Sequence, residues 1–441
     1  MSKSIQIKKG LNIPLAGASS QRVSNDSNST LYAICPSDFP GYTWKAAVKA
    51  GDAVAVGSAL LIAKEDEFIS LTSPVSGVVK EIKRGERRRI EFISVESDGK
   101  LTQNPELATI TDPLELLKRS GLFAMMRQRP FDIVPGNAAP RDIFVTGFDT
   151  APLAPDILAK LDKKKMEDGL RFLRKFTKGT VYLSIPSDAK VTSGAAQLVE
   201  FNMLHPAGNP GVQIAKIRPV NKGEVVWTLD AVTAERIGRL VSDKKLSWAT
   251  RVAITGPDAV DPHLVDTIIG ASLSTLLEGE IKPTSEKVRV ISGNVLTGVK
   301  ENVQSGFLRY PYRQVTLIDE GDHADEFMGW ASLNPKKFSV KRSFPAFLGG
   351  LTRPFNFDAR VKGGHRAMIL SGEYDKVFPF DIYPEYLLKA IYAKDIEKME
   401  QLGIYEVAPE DFALPEFVDT SKNELQKAVR EGLDYLRKET L

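Results

Sequence analysis

The stretches SPVSGVVKEI (Ser73 to Ile82) and GDAVAVGSAL (Gly51 to Leu60) decide the fold of the N-terminal region. In both, glycine separates short runs of valine, alanine, leucine and isoleucine. This pattern predicts short β-strands joined by tight turns, with Gly57 and Gly77 at turn positions. Because the pattern continues to about Glu96, we expect an all-β domain at the start of the chain.

The paired stretches resemble the hairpins of lipoyl and biotinyl carrier domains, in which a lysine at a hairpin tip carries the cofactor. Counting back about eight residues from Pro74 reaches Asp66, and the nearest lysine, Lys64, lies two positions away. Such a shift moves a side chain from the apex of a hairpin down its strand. We therefore expect a carrier-like fold without the carrier function, used as a docking module.

Length and composition bound the remaining possibilities. The chain has 441 residues, which at about 150 per domain predicts roughly three domains. The net charge of +3 indicates no nucleic-acid partner. Cys35 is the only cysteine, whereas an iron–sulfur cluster needs about four thiolates. The sequence shows no signal peptide and no apolar run of the ~18 residues that span a membrane, so any membrane association is expected to be peripheral.

The second region alternates strands and helices. Asp112 is predicted to cap a helix that Pro113 opens and Gly121 ends. The elements expected next are a strand at 141–149, a charged helix at 155–175 and a strand at 180–186. A strand, helix and strand in this order predict a βαβ unit with parallel strands.

A third, smaller region is predicted to be a sheet holding one helix. A strand is expected at 251–256, followed by a helix with Asp261 as cap and Pro262 as its first residue. Two strand-like stretches, VRVISGNVLTG and YRQVTLIDEG, come next. The last hundred residues are expected to be mostly helical, with one helix opening at Pro384 and another capped by Ser421 and Glu424.

Common catalytic patterns are absent from the sequence. The four histidines are isolated, so they offer no metal chelate and are expected at the surface or at caps: His205, His263, His323 and His365. No G-x-S-x-G elbow and no phosphate-binding glycine loop occurs. Where a βαβ unit would bind a dinucleotide, FDTAPLAPD places bulky residues and prolines after the strand.

Several longer motifs identify a family. They are IKKGLNIPLAG (7–17), SGLFAMMRQRPFDIVP (120–135), HPAGNPG (205–211), VISGNVLTG (290–298) and GEYDKVFPFDIYPEYLLKAI (372–391). Together they resemble the A subunit of the sodium-translocating NADH:quinone reductase, from about residue 5 to residue 440. The resemblance implies kinship with the C subunit of the Rnf complex and the flavoprotein subunit of respiratory complex I.

The resemblance implies a multidomain α/β and α+β fold. We expect a lipoyl/biotinyl-like β-sandwich hybrid at 1–110, a Rossmann-like α/β domain lacking the flavin loop at 111–250, a small β-grasp domain of the ligand-binding SLBB type at 251–335, and a mostly helical region at 336–441.

The resemblance also implies that this chain binds no prosthetic group. The relatives hold FMN or NADH with a glycine-rich loop, where this chain has LFAMMRQRPF, and the Rnf relative holds its clusters with cysteines that are absent here. NAD, FAD, FMN, iron–sulfur clusters and ubiquinone would be handled by other subunits during sodium transport. The implied position is peripheral, on the cytoplasmic face of a bacterial inner membrane, against the membrane-embedded B subunit.

The family's association with ubiquinone suggests candidate site residues in the segment 120–131. They are Phe123, Met125, Met126, Arg127, Arg129 and Phe131. The apolar members offer contact area, and the arginines can donate hydrogen bonds to a quinone oxygen or a partner carboxylate. An exposed Phe/Met loop and basic runs such as Lys83 to Arg89 are candidates for contact with other subunits. Alternatively, Phe123 and Met126 belong to the core and the arginines to the surface.

Two other functions stay open at this point. One is a self-standing flavin or NADH electron-transfer protein like the complex I relative, against which the missing glycine loop and the single cysteine argue. The other is a carrier protein modified at Lys64. The absorbance spectrum and the intact mass of the purified chain distinguish them.

Overall fold

The computed structural model describes residues 3–26, 28–283, 287–322, 334–341, 345, 348 and 353–440. His323, and part of the stretch around the predicted boundary at 335, lie outside the described residues. Within the described residues, no helix has the length and apolarity needed to cross a lipid bilayer.

The strands and helices follow in chain order. The strands are β1 (Lys3–Ile5), β2 (Val23–Asn25), β3 (Leu31–Ile34), β4 (Trp44–Ala46), β5 (Ala53–Val54), β6 (Ala59–Ala63), β7 (Ser70–Thr72), β8 (Gly77–Arg84), β9 (Ile90–Ser97), β10 (Arg127–Arg129), β11 (Ile143–Thr146), β12 (Val181–Pro186), β13 (Gln197–Phe201), β14 (Val226–Asp230), β15 (Ala249–Thr255), β16 (His263–Ile268), β17 (Val288–Ser292), β18 (Val299–Glu301) and β19 (Gln314–Asp319). The helices are α1 (Pro113–Arg119), α2 (Lys163–Leu173), α3 (Pro210–Ile217), α4 (Ala231–Asp243), α5 (Leu273–Leu276), α6 (Pro384–Ala393), α7 (Ile396–Gln401), α8 (Ala413–Val418) and α9 (Leu425–Thr440).

The N-terminal β region consists of two small sheets, in the orders β3-β9-β8-β5 and β4-β6-β7. The predicted turn at Gly57 lies just before β6, and the predicted turn at Gly77 lies at the first residue of β8. At Gly77 the backbone of the next strand is so close that a Cβ would lie 1.9 Å from the carbonyl oxygen of Glu96. The turn therefore requires glycine for close approach.

The α/β region is a six-stranded sheet in the order β1-β13-β12-β11-β14-β10. All neighbouring strands are parallel except β10, which runs antiparallel to β14 at the edge. The predicted βαβ unit is confirmed, because β11 and β12 pair in parallel across α2. The helix predicted at 155–175 is shorter than expected: α2 begins at Lys163, where Asp162 caps it.

Successive residues of this sheet enter two different cores. Ile143 and Val145 pack with α2, α4 and the N-terminal β region. Phe144 and Tyr182, on the opposite face, pack with the C-terminal helices. This alternation is the period of two expected of a sheet covered on both faces.

The third region is a mixed sheet in the order β18-β17-β19-β15-β16-β2, with its own core around Leu273 and Leu317. The helix predicted to open at Pro262 is wrong. Residues His263–Ile268 form β16, which pairs antiparallel with β15, and only Leu273–Leu276 is helical. Pairing with a neighbouring strand outweighs the local helix-start signal of Asp261 and Pro262.

The C-terminal region is helical where it was expected to be. Helix α6 begins at Pro384 as predicted. The capping box predicted at Ser421 and Glu424 is wrong, because α9 begins at Leu425 and the Ser421 hydroxyl donates to the carbonyl oxygen of Ala367 at 2.9 Å.

Two strands near the N-terminus join sheets of other regions. Strand β1 pairs in parallel with β13 of the α/β sheet, and β2 pairs in parallel with β16 of the third region. The domain boundaries at 110, 250 and 335 stay predictions. The segment before Leu31 lies in the predicted first domain, but its two strands belong to the sheets of the second and third regions.

Candidate functional site

The segment 120–131 runs from the end of α1 to the turn after β10. Gly121, with a φ of +83°, ends the helix as predicted. The backbone N–H of Gln128 donates to the carbonyl oxygen of Ile133 at 2.7 Å, which closes a tight turn. Within that turn Phe131 has a φ of +80° and Asp132 a φ of +52°. A bulky residue in this conformation is strained, and such strain persists where the surrounding structure holds it.

Five of the six candidate side chains are buried. Phe123 and Met126 are fully enclosed in the core that joins the β region to the α/β region. Phe131 packs edge-on against Tyr405 of the C-terminal region, with ring centroids 6.3 Å apart. The expectation of an exposed Phe/Met loop is therefore wrong, and the core assignment of Phe123 and Met126 is correct.

Arg127 is the candidate that keeps part of its surface exposed. Its guanidinium donates to the carbonyl oxygens of Ala124, Met126 and Asp38, at 2.6 to 3.0 Å. It also lies against the rings of Phe39 and Tyr310, which stack on each other with centroids 5.2 Å apart. Arg127 thus joins the segment 120–131 to the N-terminal and third regions.

Arg129 lies in a buried cluster of carboxylates. Its Nη2 is 2.6 Å from Oε1 of Glu410, its Nη1 is 3.4 Å from Oδ2 of Asp411, and its Nε is 3.3 Å from Oδ1 of Asp132. Glu410 and Asp411 lie about 280 residues further along the chain, so sequence reasoning missed them. The alternative that placed Arg129 at the surface is wrong, because the arginine joins the C-terminal region to the edge of the α/β sheet.

The cluster shifts the pKa values of its members in the directions that burial and charge dictate. Burial raises the pKa of the Asp411 carboxyl to about 6, although Arg129 acts in the opposite direction. Burial also raises the pKa of Glu410, as do the negative charges of Asp411 and Asp132. Burial alone would lower the pKa of Arg129, but the three carboxylates raise it.

The carrier-like hairpin is fastened at its tip. Asp66, at the position of a carrier lysine, lies in the turn between β6 and β7. Its Oδ2 accepts a hydrogen bond from Nζ of Lys118 at 2.7 Å, and the same Nζ donates to Oδ1 of Asn137 at 2.7 Å. Lys64 is exposed at the end of β6, and its backbone N–H donates to the carbonyl oxygen of Thr43. The turn is therefore held against α1.

The crevice where doubly wound sheets bind ligands is filled by side chains. From β11 the strand order runs through β12 and β13 on one side, whereas β14 lies on the other side. The carboxyl ends of β11 and β14 therefore form a topological switch point. Nη2 of Arg313 lies 2.7 Å from Oδ2 of Asp230, at the end of β14. The Gln314 amide donates to the carbonyl oxygen of Pro152, in the loop after β11. The third region thus covers this edge of the sheet.

Two of the histidines are buried, which corrects the expected surface position. The His205 ring lies 3.1 Å from the Thr150 hydroxyl through Nδ1, and burial lowers the pKa of His205 to about 4. His263 bonds to the Ser24 hydroxyl. Across the described part of the chain, no group of three or more His, Cys, Asp or Glu residues could hold a metal ion.

Family models of known protein domains match three successive parts of the chain, and together they give its class: a multidomain subunit of a respiratory complex. The NqrA N-terminal barrel-sandwich hybrid domain matches residues 5–98, the NqrA second alpha/beta domain matches residues 111–246, and the NQRA C-terminal domain matches residues 251–302. The order and kinds of domains confirm the predicted multidomain α/β and α+β fold.

Full-length relatives then identify the family. The A subunit of the Na(+)-translocating NADH-quinone reductase of Hahella chejuensis is 36% identical, with 99% of this chain and 100% of that protein covered. The corresponding protein of Vibrio anguillarum is also 36% identical at the same coverage, and that of Rhodopirellula baltica is 34% identical, with 98% of each covered. This chain belongs to the NqrA family, the A subunits of Na⁺-translocating NADH-quinone reductases, and so to an oxidoreductase complex.

Among solved structures, a chain of an NAD⁺-reducing [NiFe]-hydrogenase in the air-oxidized state aligns with 75% of this chain and 64% of its own length. Its TM-score is 0.37 and its identity 12%, values too low to bear on the fold.

Proposed function

We propose that the chain is a peripheral docking subunit of the reductase, on the cytoplasmic face of the bacterial inner membrane. In this proposal it rests against the membrane-embedded B subunit, binds no prosthetic group, and contributes a contact to ubiquinone. NAD, FAD, FMN and the iron–sulfur clusters belong to other subunits. The side chains filling the switch-point crevice support the absence of a nucleotide there.

The observation that carries the docking proposal is an exposed aromatic face on α6. Tyr383, Tyr386, Lys389 and Tyr392 recur every three residues, and the three tyrosines are 69%, 53% and 53% exposed. Tyr383 is the residue before α6, and its ring centroid lies 6.1 Å from that of Tyr386. Each later member is a surface neighbour of the one before it, so the four residues form a strip that winds around the helix. We call these four residues the tyrosine face. Large aromatic side chains grouped at a surface are typical of protein interfaces.

The neighbouring loop extends the tyrosine face with aliphatic side chains. Ile369 and Leu370 are 59% and 49% exposed. The backbone N–H groups of Ser371 and Gly372 donate to Oε1 of Glu385, at 2.9 and 3.0 Å, which fixes this loop at the start of α6. The surface therefore fits an apolar patch of another protein of the complex that carries a carboxylate opposite Lys389.

Substitution of the tyrosine face in the assembled complex tests docking. We expect Tyr383→Ser with Tyr386→Ser to weaken retention of the chain on the membrane subunits by about tenfold or more, because interface aromatics contribute most of the binding energy. Phe68→Ser is the matched control, since Phe68 is 47% exposed on the N-terminal region. Equal retention of both variants, each shown to be folded, would remove the tyrosine face from the interface.

We propose Arg127 as the residue that contacts ubiquinone. Its guanidinium combines a partly exposed position with the adjacent rings of Phe39 and Tyr310. The guanidinium offers hydrogen-bond donors to a quinone oxygen, and the residue Tyr310, which is partly exposed, offers apolar area to the quinone ring. The other five candidates are buried, so they reach a ligand only if the segment 120–131 moves.

Binding of a fluorescent ubiquinone analogue to the purified chain tests the quinone contact, with the visible spectrum recorded on the same sample. We expect saturable micromolar binding without flavin absorbance, and an approximately tenfold loss in Arg127→Gln, the size of one charge-assisted hydrogen bond. Arg119→Gln is the control, because Arg119 is exposed on α1 and pairs with Glu115. Absence of binding by the folded chain would place the quinone site outside this chain alone.

The same sample distinguishes the other two functions. A flavin absorbance band that persists through purification would support a self-standing electron-transfer protein. An intact mass above the mass of the sequence, localised to Lys64, would support a modified carrier. We expect a colourless protein of unmodified mass, in keeping with the Asp66–Lys118 pair at the hairpin tip.

A further inference from the structure

A small cavity remains where the third region covers the α/β sheet. It is lined by Arg236 of α4, Thr250 of β15, and Arg309, Tyr310 and Arg313 from the stretch before β19. Its volume of about 10 Å³ is the room of about one water molecule. The cavity is too small for a nucleotide, a quinone or a phosphate.

Arg236 differs from the other two arginines of the cavity, because Asp230 and Glu235 act on its charge without forming an ion pair with it. Its residue surface is 2% exposed, and within the described residues it makes no ion pair. Nη2 donates to the carbonyl oxygen of Ala249 at 3.0 Å, and the guanidinium carbon lies 5.6 Å from the Trp248 ring centroid. Its Nε is buried and has no hydrogen-bond partner. A buried charged donor without a partner carries a large desolvation cost.

The other two arginines of the cavity already have carboxylate partners. Arg309 pairs with Asp38 and Glu301, and Arg313 pairs with Asp230. The Nε of Arg313 is nevertheless buried without a hydrogen-bond partner, as is that of Arg236. Burial, followed by the positive charge of Arg313, lowers the pKa of Arg236 to about 10, so Arg236 stays charged at neutral pH.

We propose that this cavity is an anion site that binds one monatomic anion of the size of chloride between Arg236 and Arg313. A water molecule would satisfy the free N–H donors, but it would bring no negative charge to a cavity lined by three arginines. An anion supplies both the acceptor and the opposite charge. Bound there, it joins α4 to the stretch before β19 and stabilises the junction of the second and third regions.

Bromide soaked into crystals of the full chain tests the site directly, because bromide replaces chloride and scatters anomalously. We expect one anomalous peak within hydrogen-bonding distance of Arg236 and Arg313. We also expect thermal unfolding of the chain to shift upward by about 2 °C between low and about 200 mM chloride, with gluconate holding ionic strength constant. Density for water alone, with no anomalous peak, would overturn the proposal.

Variants separate a built site from an adventitious ion. Arg236→Gln should abolish both the bromide peak and the chloride-dependent shift, and Arg236→Lys is the alternative if that variant does not fold. Arg239→Gln is the matched control on the same helix, since Arg239 is 38% exposed and pairs with Glu235. A chloride shift of equal size in the Arg236 and Arg239 variants, or a peak without any shift, would mean an adventitious ion only.

Discussion

Lys118 and Asp66 form an ion pair, 2.7 Å between Nζ and Oδ2, with side chains that are only 8% and 14% exposed. The pair fastens the hairpin turn of a carrier-like fold to α1 at the position of a carrier lysine. A carrier domain needs a free tip, whereas this tip is part of a domain junction. The Asp66–Lys118 pair therefore fixes the hairpin tip, which in a carrier domain would be mobile.

Breaking that pair should destabilise the protein strongly. Lys118→Met leaves the Asp66 carboxylate buried without its counter-charge, and we expect the free energy of unfolding to fall by about 3 kcal/mol. Urea unfolding of the full chain measures it. Lys45→Met is the control, because the Lys45–Glu67 pair is exposed and should contribute less than about 1 kcal/mol. Equal losses in the two variants would contradict the structural role of Lys118.

The carboxylate cluster around Arg129 predicts a pH dependence. Because the pKa of Asp411 in the folded state, about 6, lies above its ordinary value, the folded protein holds this proton more tightly. The associated stability is present below the ordinary pKa of an aspartate and is lost as pH rises through about 6. The Asp411→Asn side chain resembles the protonated aspartic acid. We therefore expect this variant not to lose that stability as pH rises through about 6.

Urea unfolding of the wild type and Asp411→Asn from about pH 4 to about pH 8 checks this prediction. The difference in unfolding free energy should change in favour of the variant as pH rises through about 6. Asp395→Asn is the comparison, because Asp395 caps α7 at the surface and its pKa is lowered. A difference between wild type and Asp411→Asn that stays constant over this range would show that Asp411 does not titrate there.

Helices α2 and α4 pack through two glycines. A Cβ on Gly169 would lie 1.8 Å from the carbonyl oxygen of Ala234, and one on Gly238 would lie 1.8 Å from that of Lys165. We expect Gly169→Ala to lower the free energy of unfolding by about 2 kcal/mol, despite the higher helix propensity of alanine, because the helices must separate. Chemical denaturation measures the loss. Gly364→Ala has open space around it and should be nearly neutral.

One substitution should stabilise the chain. Lys244 ends α4 with a φ of +56°, a conformation that glycine adopts without strain. We expect Lys244→Gly to raise the thermal midpoint, corresponding to about 0.5–1 kcal/mol. Lys245→Gly, one residue later, gains no such relief and should not stabilise the protein. Calorimetry of both variants is decisive, and a lower midpoint for Lys244→Gly would refute the strain argument.

Sequence reasoning succeeded where the signal is local. The capping Asp112, the strand–helix–strand unit and the helix opening at Pro384 all depend on neighbouring residues, and all are present. It failed for His263–Ile268, where pairing with β15 decides the structure. The burial of Arg129 was also missed, because Arg129 meets Glu410 and Asp411 only after the chain has folded.

Strands β1 and β2 limit how the protein can be divided. Because Lys3–Ile5 completes one edge of the α/β sheet and Val23–Asn25 one edge of the third region, a fragment that starts after the N-terminal β region would leave two sheet edges uncovered. Residues 3–25 therefore link the α/β sheet to the sheet of the third region. A cleavage between Ile5 and Val23 would separate the strand that completes the α/β sheet from the strand that completes the sheet of the third region.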